Sequence, residues 1–183
     1  MRKYIAIFAS LGCSLALAGD YFTGQAARAV IGQHTFTDQI PGPSQFLLGA
    51  ASGISYANGI LAVVDDNRLQ ATPENARVLI FRDLANQLPS PTAELPPNFD
   101  VRCPVCVQGA DVVLGQADFN SSNVGTSNTL FNQPTAVATN GTMIAVSDTN
   151  NNRVLIWNSI PTANNTPGQG RMIAPPEPRP CAT

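Results

Sequence analysis

His34 is the only histidine in the chain. A catalytic or metal-binding imidazole needs ionisable partners, and a zinc site here would have to do without a second histidine. It therefore reads as an ordinary loop residue following a Gly-Gln step. Cys103-Pro104-Val105-Cys106 has the spacing of a redox pair, but only Val107-Gln108-Gly109 follows, with no helix-forming run to activate a thiolate. One pair supplies two of the four ligands that structural zinc takes, and Val107 stands where haem attachment requires His. The reading that survives is a small disulfide between Cys103 and Cys106, tying off a long loop over 84–108. Cys181 would then be unpaired. No residue is assigned a catalytic or metal-binding role, and no cofactor is expected.

Two carboxylates recur. Asp65 and Asp148 each close an apolar run, and Arg77 and Arg153 each open the next one. As functional groups they would be metal or substrate ligands. As structural groups, each Asp caps a turn and pairs with its Arg across a hairpin. Recurrence in both copies favours the structural role, because binding groups on repeats are seldom equivalent in every unit. Asp65-Asp66-Asn67 and Asp148-Thr149-Asn150 lack the Gly and distal Glu of a calcium loop. The sequons at Asn120, Asn140 and Asn164 are taken as accidental.

The elements that position these residues are repeats. Val30-Ile31-Gly32-Gln33 matches Val113-Leu114-Gly115-Gln116 at an offset of 83, as does Leu61-Ala62-Val63-Val64-Asp65 with Ile144-Ala145-Val146-Ser147-Asp148. Arg77-Val78-Leu79-Ile80-Phe81 matches Arg153-Val154-Leu155-Ile156-Trp157 at an offset of 76, so the first copy carries an insertion within 68–76. Each block is short and apolar, bounded by Asn, Gly, Asp or Pro, which predicts a strand. Asn58-Gly59 and Asn140-Gly141 predict hairpin turns at positive φ. The unit is strand, turn, strand ending in Asp, polar loop, strand from Arg-Val, long loop, and strand ending in Gly-Gln. Four antiparallel strands with both faces apolar predict a propeller blade.

Asp148-Thr149-Asn150-Asn151-Asn152-Arg153-Val154-Leu155-Ile156-Trp157, preceded by Gln133-Pro134-Thr135-Ala136-Val137-Ala138, resembles the NHL repeat. The resemblance is to exported bacterial proteins whose blades end in Val-Leu-Gly-Gln, and it covers residues 28–160. The first copy departs from the pattern, with Ala76 in the place of Asn152. The resemblance implies an all-β, partial β-propeller of about two four-stranded antiparallel blades, used for binding. Propeller enzymes of lactonase and lyase type gather metals and ionisable groups at a channel mouth, which this chain has too few blades to assemble. One unit is complete over 53–57, 60–65, 77–82 and 110–115. Residues 29–32 form a lone strand before it, and 135–139, 143–148 and 153–158 form a second unit lacking its fourth strand.

The flanks differ in character. Residues 1–18 have Arg2 and Lys3, an apolar run over 5–17 and Ala16-Leu17-Ala18, the order of a secretory signal. Export to the periplasm, cell surface or medium is expected, with a mature start at Gly19; anchoring through a lipid at Cys13 is the alternative. Residues 19–160 are the blades, and 161–183 a Pro/Asn-rich tail. Charged residues are 12%, and Lys3 is the only lysine, so the mature chain has eight Arg against twelve acids and a net charge of −4. Phosphate-neutralising contact with nucleic acid is excluded on that balance, and no membrane insertion is expected after signal removal. The function expected is a non-catalytic scaffold for a protein or glycan. The alternatives are a fragment of an exported propeller enzyme and a truncated remnant. With both faces of each blade apolar and too few blades to close a ring, self-association or further blades are expected, for example three chains in a six-bladed ring.

Overall fold

The computed structural model describes residues 27, 29–66, 74–88 and 109–169. These residues are all-β apart from a four-residue helix and one 3-10 turn. The first sheet has four antiparallel strands in chain order: β1 (Ala51–Ala57), β2 (Ile60–Asp65), β3 (Arg77–Phe81) and β4 (Val112–Leu114). The second has three: β5 (Pro134–Thr139), β6 (Ile144–Asp148) and β7 (Arg153–Trp157). The complete unit and the unit lacking its last strand both lie where the repeat arithmetic puts them. Registers repeat as well. Gly53↔Val64 and Ala136↔Ser147 are equivalent pairs at the 83-residue offset, and a bulge precedes each of them.

Directly paired residues share a sheet face, so the registers define two faces per sheet. The forward face of the first sheet carries Ala62, Val64, Val78 and Ile80. It packs against the rear face of the second, formed by Ile144, Val146, Leu155 and Trp157. Phe131, at the connector between the sheets, joins this core and meets Trp157 edge-on, with ring centroids 6.2 Å apart. Near their starts, away from the hairpin turns, β1 and β5 come together so closely that a Cβ on Gly53 would sit 2.9 Å from the Thr135 carbonyl oxygen. Gly is required there by the neighbouring backbone.

The rear face of the first sheet, with Leu61, Val63, Leu79 and Phe81, is covered by a second cluster. Its lid is Leu84 of α1 (Leu84–Gln87), Ala110, Ile31, Leu48 and Phe119. The expectation that this face would stand fully open is corrected. Only its β1 edge is open, where Ile54 is 70% and Tyr56 54% exposed. Burial in the second sheet alternates along β6 and β7 because no sheet among the described residues packs on its forward face, although Val154 and Ile156 are as apolar as Val78 and Ile80.

Three further expectations are revised. Residues 29–32 are not a strand: a ladder needs a partner, and among the described residues no third strand of a preceding unit lies beside them. The turn at Asn140-Gly141 is displaced by one residue relative to the first. Asn58 and Gly59 both have positive φ, whereas in the second turn Gly141 does and Asn140 does not. The Asn140 side-chain oxygen instead accepts from the N–H groups of Thr142 and Met143. Residues 161–169, assigned to a tail, dock on the sheets. Asn165 N–H donates to Val113 O, Val113 N–H to Asn164 Oδ1, and the Trp157 indole N–H to Thr166 O. Cys13, Cys103, Cys106 and Cys181 lie outside the described residues, as do residues 1–18, read above as a signal, and residues 170–183.

Candidate interaction surface

The recurring Asp and Arg side chains form two copies of one clamp. Asp65 Oδ1 accepts from the N–H groups of Gly49 (2.8 Å) and Ala50 (3.0 Å). Its Oδ2 accepts from Asn75 Nδ2 (2.9 Å) and Arg77 Nε (2.8 Å). Arg77 then spends its other nitrogens on the carbonyls of Phe119 and Leu47. In the second copy Asp148 accepts from Asn132 N–H, Asn151 Nδ2 and Arg153 Nε, and Arg153 reaches the carbonyls of Thr126, Ser127 and Leu130. Gly49 and Asn132, Leu47 and Leu130, and Asn75 and Asn151 are equivalent at the offsets of 83 and 76, whereas Phe119 in the first set and Thr126 and Ser127 in the second have no such counterpart. Each clamp ties the chain entering a sheet to the turn between its second and third strands.

The clamps differ in burial. The Asp65–Arg77 pair is wholly buried, while the Arg153 side chain is 28% exposed. Asn152, just before Arg153, is left-handed at φ +53, and Ala76 takes the same position at φ +41 without an amide to favour it. The first copy therefore keeps the left-handed residue before its Arg, while residues 67–73 of that turn lie outside the described residues.

Sequence reading missed a second recurring device. The Gln33 side chain donates to Ile40 O (3.0 Å) and accepts from Ile40 N–H (2.9 Å). Gln116 does the same to Asn123, at 2.7 and 2.8 Å, and donates as well to the carbonyls of Asn75 and Ala76. A primary amide paired to the backbone of the residue seven positions on closes a loop, half-buried at Gln33 and buried at Gln116. Gly32 (φ +88) and Gly115 (φ +85) turn the chain into it, and their α-carbons lie against Leu48 and Phe131, again 83 residues apart. The recurrence of Gly-Gln was the available signal. Its partners, Ile40 and Asn123, contribute backbone and so left no trace in residue type.

Asp66 has no counterpart in the second copy. It is buried, with one carboxylate oxygen lacking a hydrogen-bond partner. Its pKa is raised to about 6, first by desolvation and then by the Glu74 and Asp65 carboxylates, against the opposing Ala76 N–H. Asp118, at the surface, is shifted downward by the Ser121 hydroxyl and the Asn120 and Ser121 N–H groups. His34 is exposed beside the Gln33 loop. Among the described residues no three His, Cys, Asp or Glu side chains are grouped to hold a metal ion. No helix among them is long and apolar enough to cross a membrane.

The surface on offer is the forward face of the second sheet. Two shallow grooves, of about 360 and 190 Å³, run along it, lined by Ala138, Met143, Ala145 and Ile156 and by Ala136, Ser147 and Val154. Val154 is 56% and Met143 40% exposed. A third depression, of about 350 Å³, ends the face at Thr149, Asn152 and Arg153. No family model, curated protein or solved structure matches the chain.

Proposed function

We propose that this chain is an exported, non-catalytic interaction scaffold built from NHL-like propeller blades, with a protein or glycan as its ligand. The observation that carries the reading is where the recurring polar groups are spent. Asp65, Arg77, Asp148 and Arg153 bind one another and the backbone, and Gln33 and Gln116 bind loops. What remains outward is an apolar sheet face with a polar end. Two consecutive repeats stacked forward face on rear face support the propeller reading, because blades follow one another in that way. Export is supported by the order of basic, apolar and small residues over 1–18.

The test sets binding against turnover. The purified chain is put on a glycan array and offered extracellular protein extracts. In parallel it is screened for hydrolase and lyase activity with divalent metals added. Saturable binding without turnover is the expected result. Robust turnover abolished by His34→Ala would overturn the reading in favour of a propeller enzyme.

A further inference from the structure

The contact between the two sheets is a template for a contact this chain does not make with itself. The first sheet's forward face, with Ala62, Val64, Val78 and Ile80, accepts a rear face. The second sheet's forward face carries Ala145, Ser147, Val154 and Ile156 at the equivalent positions, half-buried or exposed, and no sheet among the described residues packs on it. At the other end of the molecule, the exposed Ile54 and Tyr56 are the uncovered part of a rear face. Each is paired with a residue of the rear cluster, Val63 and Leu61 respectively. Val137, the equivalent of Ile54, packs into the core between the sheets. Among the described residues the chain thus shows one half of the interface open and, at the other end, the open β1 margin of its complement, whose remainder is already covered.

The sheet edge gives the same result. β7 is an edge strand, and its counterpart β3 is covered by β4 in the register Val78↔Leu114, Leu79↔Val113 and Ile80↔Val112. Carried through the two offsets, this register pairs Val154 with Ile31, Leu155 with Val30 and Ile156 with Ala29. Residues 29–32 already lie where such a strand would be. Ile31 packs on the rear face of the first sheet, just as its equivalent Leu114 packs into the core against the second. Within one chain, Gln169 N–H bonds Ile156 O at one end of the β7 edge, as Asp111 N–H bonds Ile80 O in the first sheet. The residues that follow Gln169 begin Gly-Arg, where β4 has Val-Val; residues 29–31 read Ala-Val-Ile.

We propose that copies of this chain join head to tail. Residues 29–32 of one copy add to β7 of another as its fourth strand, and the forward face of that second sheet closes on the Ile54–Tyr56 side of the first copy's first sheet. The contact is heterologous, so it propagates unless it closes into a ring. The proposal rests on the scaffold reading only in drawing on the same open face.

The test uses two variants, each of which disables one half of the contact at an exposed position. Val154→Lys alters the forward face and Ile54→Lys the rear. Sedimentation velocity of the full chain at about 100 µM should show an assembly for the parent chain. Each variant alone should be monomeric, with unchanged circular dichroism and Trp157 emission. Mixed, the two should form a 1:1 dimer and stop there, since each retains the half that the other lacks. Hydrogen exchange at the Val154 and Ile156 amides, which point away from β6, should be slow in the parent assembly and fast in either lone variant. A monomeric parent chain, a dimer lost in one variant and untouched by the other, or variants that fail to pair on mixing would each overturn the proposal. Ligand binding by a monomeric parent would defeat the assembly and leave the scaffold reading standing. Assembly without any ligand would do the reverse.

Discussion

Removing the guanidinium from the two clamps should cost very different amounts, although residue type, partner and sheet position are the same. Arg77→Met leaves the Asp65 carboxylate at zero exposure without its cation and takes the donors from Phe119 O and Leu47 O. Breaking a buried pair from one side costs about 3–5 kcal/mol, because the remaining charge cannot be resolvated. Arg153→Met also leaves a carboxylate at zero exposure, Asp148, without its cation, but the vacated site opens to water that can reach that charge and the Thr126, Ser127 and Leu130 carbonyls, so the cost is about 1–2 kcal/mol. The expected gap is therefore about 2–3 kcal/mol. Trp157, the only tryptophan, lies buried between the sheets and reports on both. Equilibrium urea unfolding followed by its emission and by circular dichroism yields both values. The double variant Asp65→Asn with Arg77→Met adds a check. Asn keeps an acceptor for Gly49 and Ala50 N–H and removes the stranded charge, so the cycle should show coupling of about 2 kcal/mol. Arg153→Met costing as much as Arg77→Met would refute the reasoning, since burial would then not be what sets the strength of the clamp.

Asp66→Asn tests the raised carboxyl. The folded pKa of about 6 lies above the free value of 3.8, so its contribution favours the fold fully below pH 3.8 and is lost as pH rises through 6. At about 1.4 kcal/mol per pH unit the loss is at most about 3 kcal/mol. The Asn variant should be the more stable at pH 7.5 and show no gain at pH 4; urea melts with superimposable pH profiles for the two chains would dismiss the effect. Gly115→Ala places a Cβ 2.1 Å from the Phe131 ring at φ +85, whereas at Gly42 a Cβ meets nothing within 4 Å, at φ +127. The first substitution should lower stability by at least about 2 kcal/mol more than the second, measured by thermal melts. For Cys103 and Cys106, mass spectrometry of the unreduced chain produced under oxidising conditions should show a two-proton deficit in their peptide, and the double Ser variant should lose less than about 2 kcal/mol. Free thiols at both positions in oxidised material would exclude the bond.

The strands and their order were legible because a strand signal is local and this one occurs twice at fixed offsets. The Asp–Arg clamps were legible for the same reason. What escaped was set by partners. Residues 29–32 have the composition of β4 but no neighbour to pair with, so they form no ladder among the described residues. Val154 and Val78 are identical in type and opposite in burial, because cover comes from the next sheet and not from the residue itself. Ala76 is left-handed for the sake of a turn that Asn152 makes more comfortably, which no property of alanine announces. The Gln33 and Gln116 loops escaped because half of each contact is backbone.

The direction in which Arg77 reaches has a consequence for the order of folding during synthesis. Every acceptor of Arg153 precedes it in the chain, so the second clamp can close as soon as β7 exists. Arg77 instead takes Phe119 O, 42 residues further on, and β3 takes β4, which follows it by some thirty residues in the chain. A chain emerging from its N-terminus therefore holds a half-satisfied guanidinium and two exposed apolar strands until the connector to the second sheet arrives. The later sheet, though shorter by a strand, has the more local wiring and the smaller loop-closure entropy. Synthesis order and closure order are thus partly reversed, and the first sheet is the one that has to wait, exposed, for its completion.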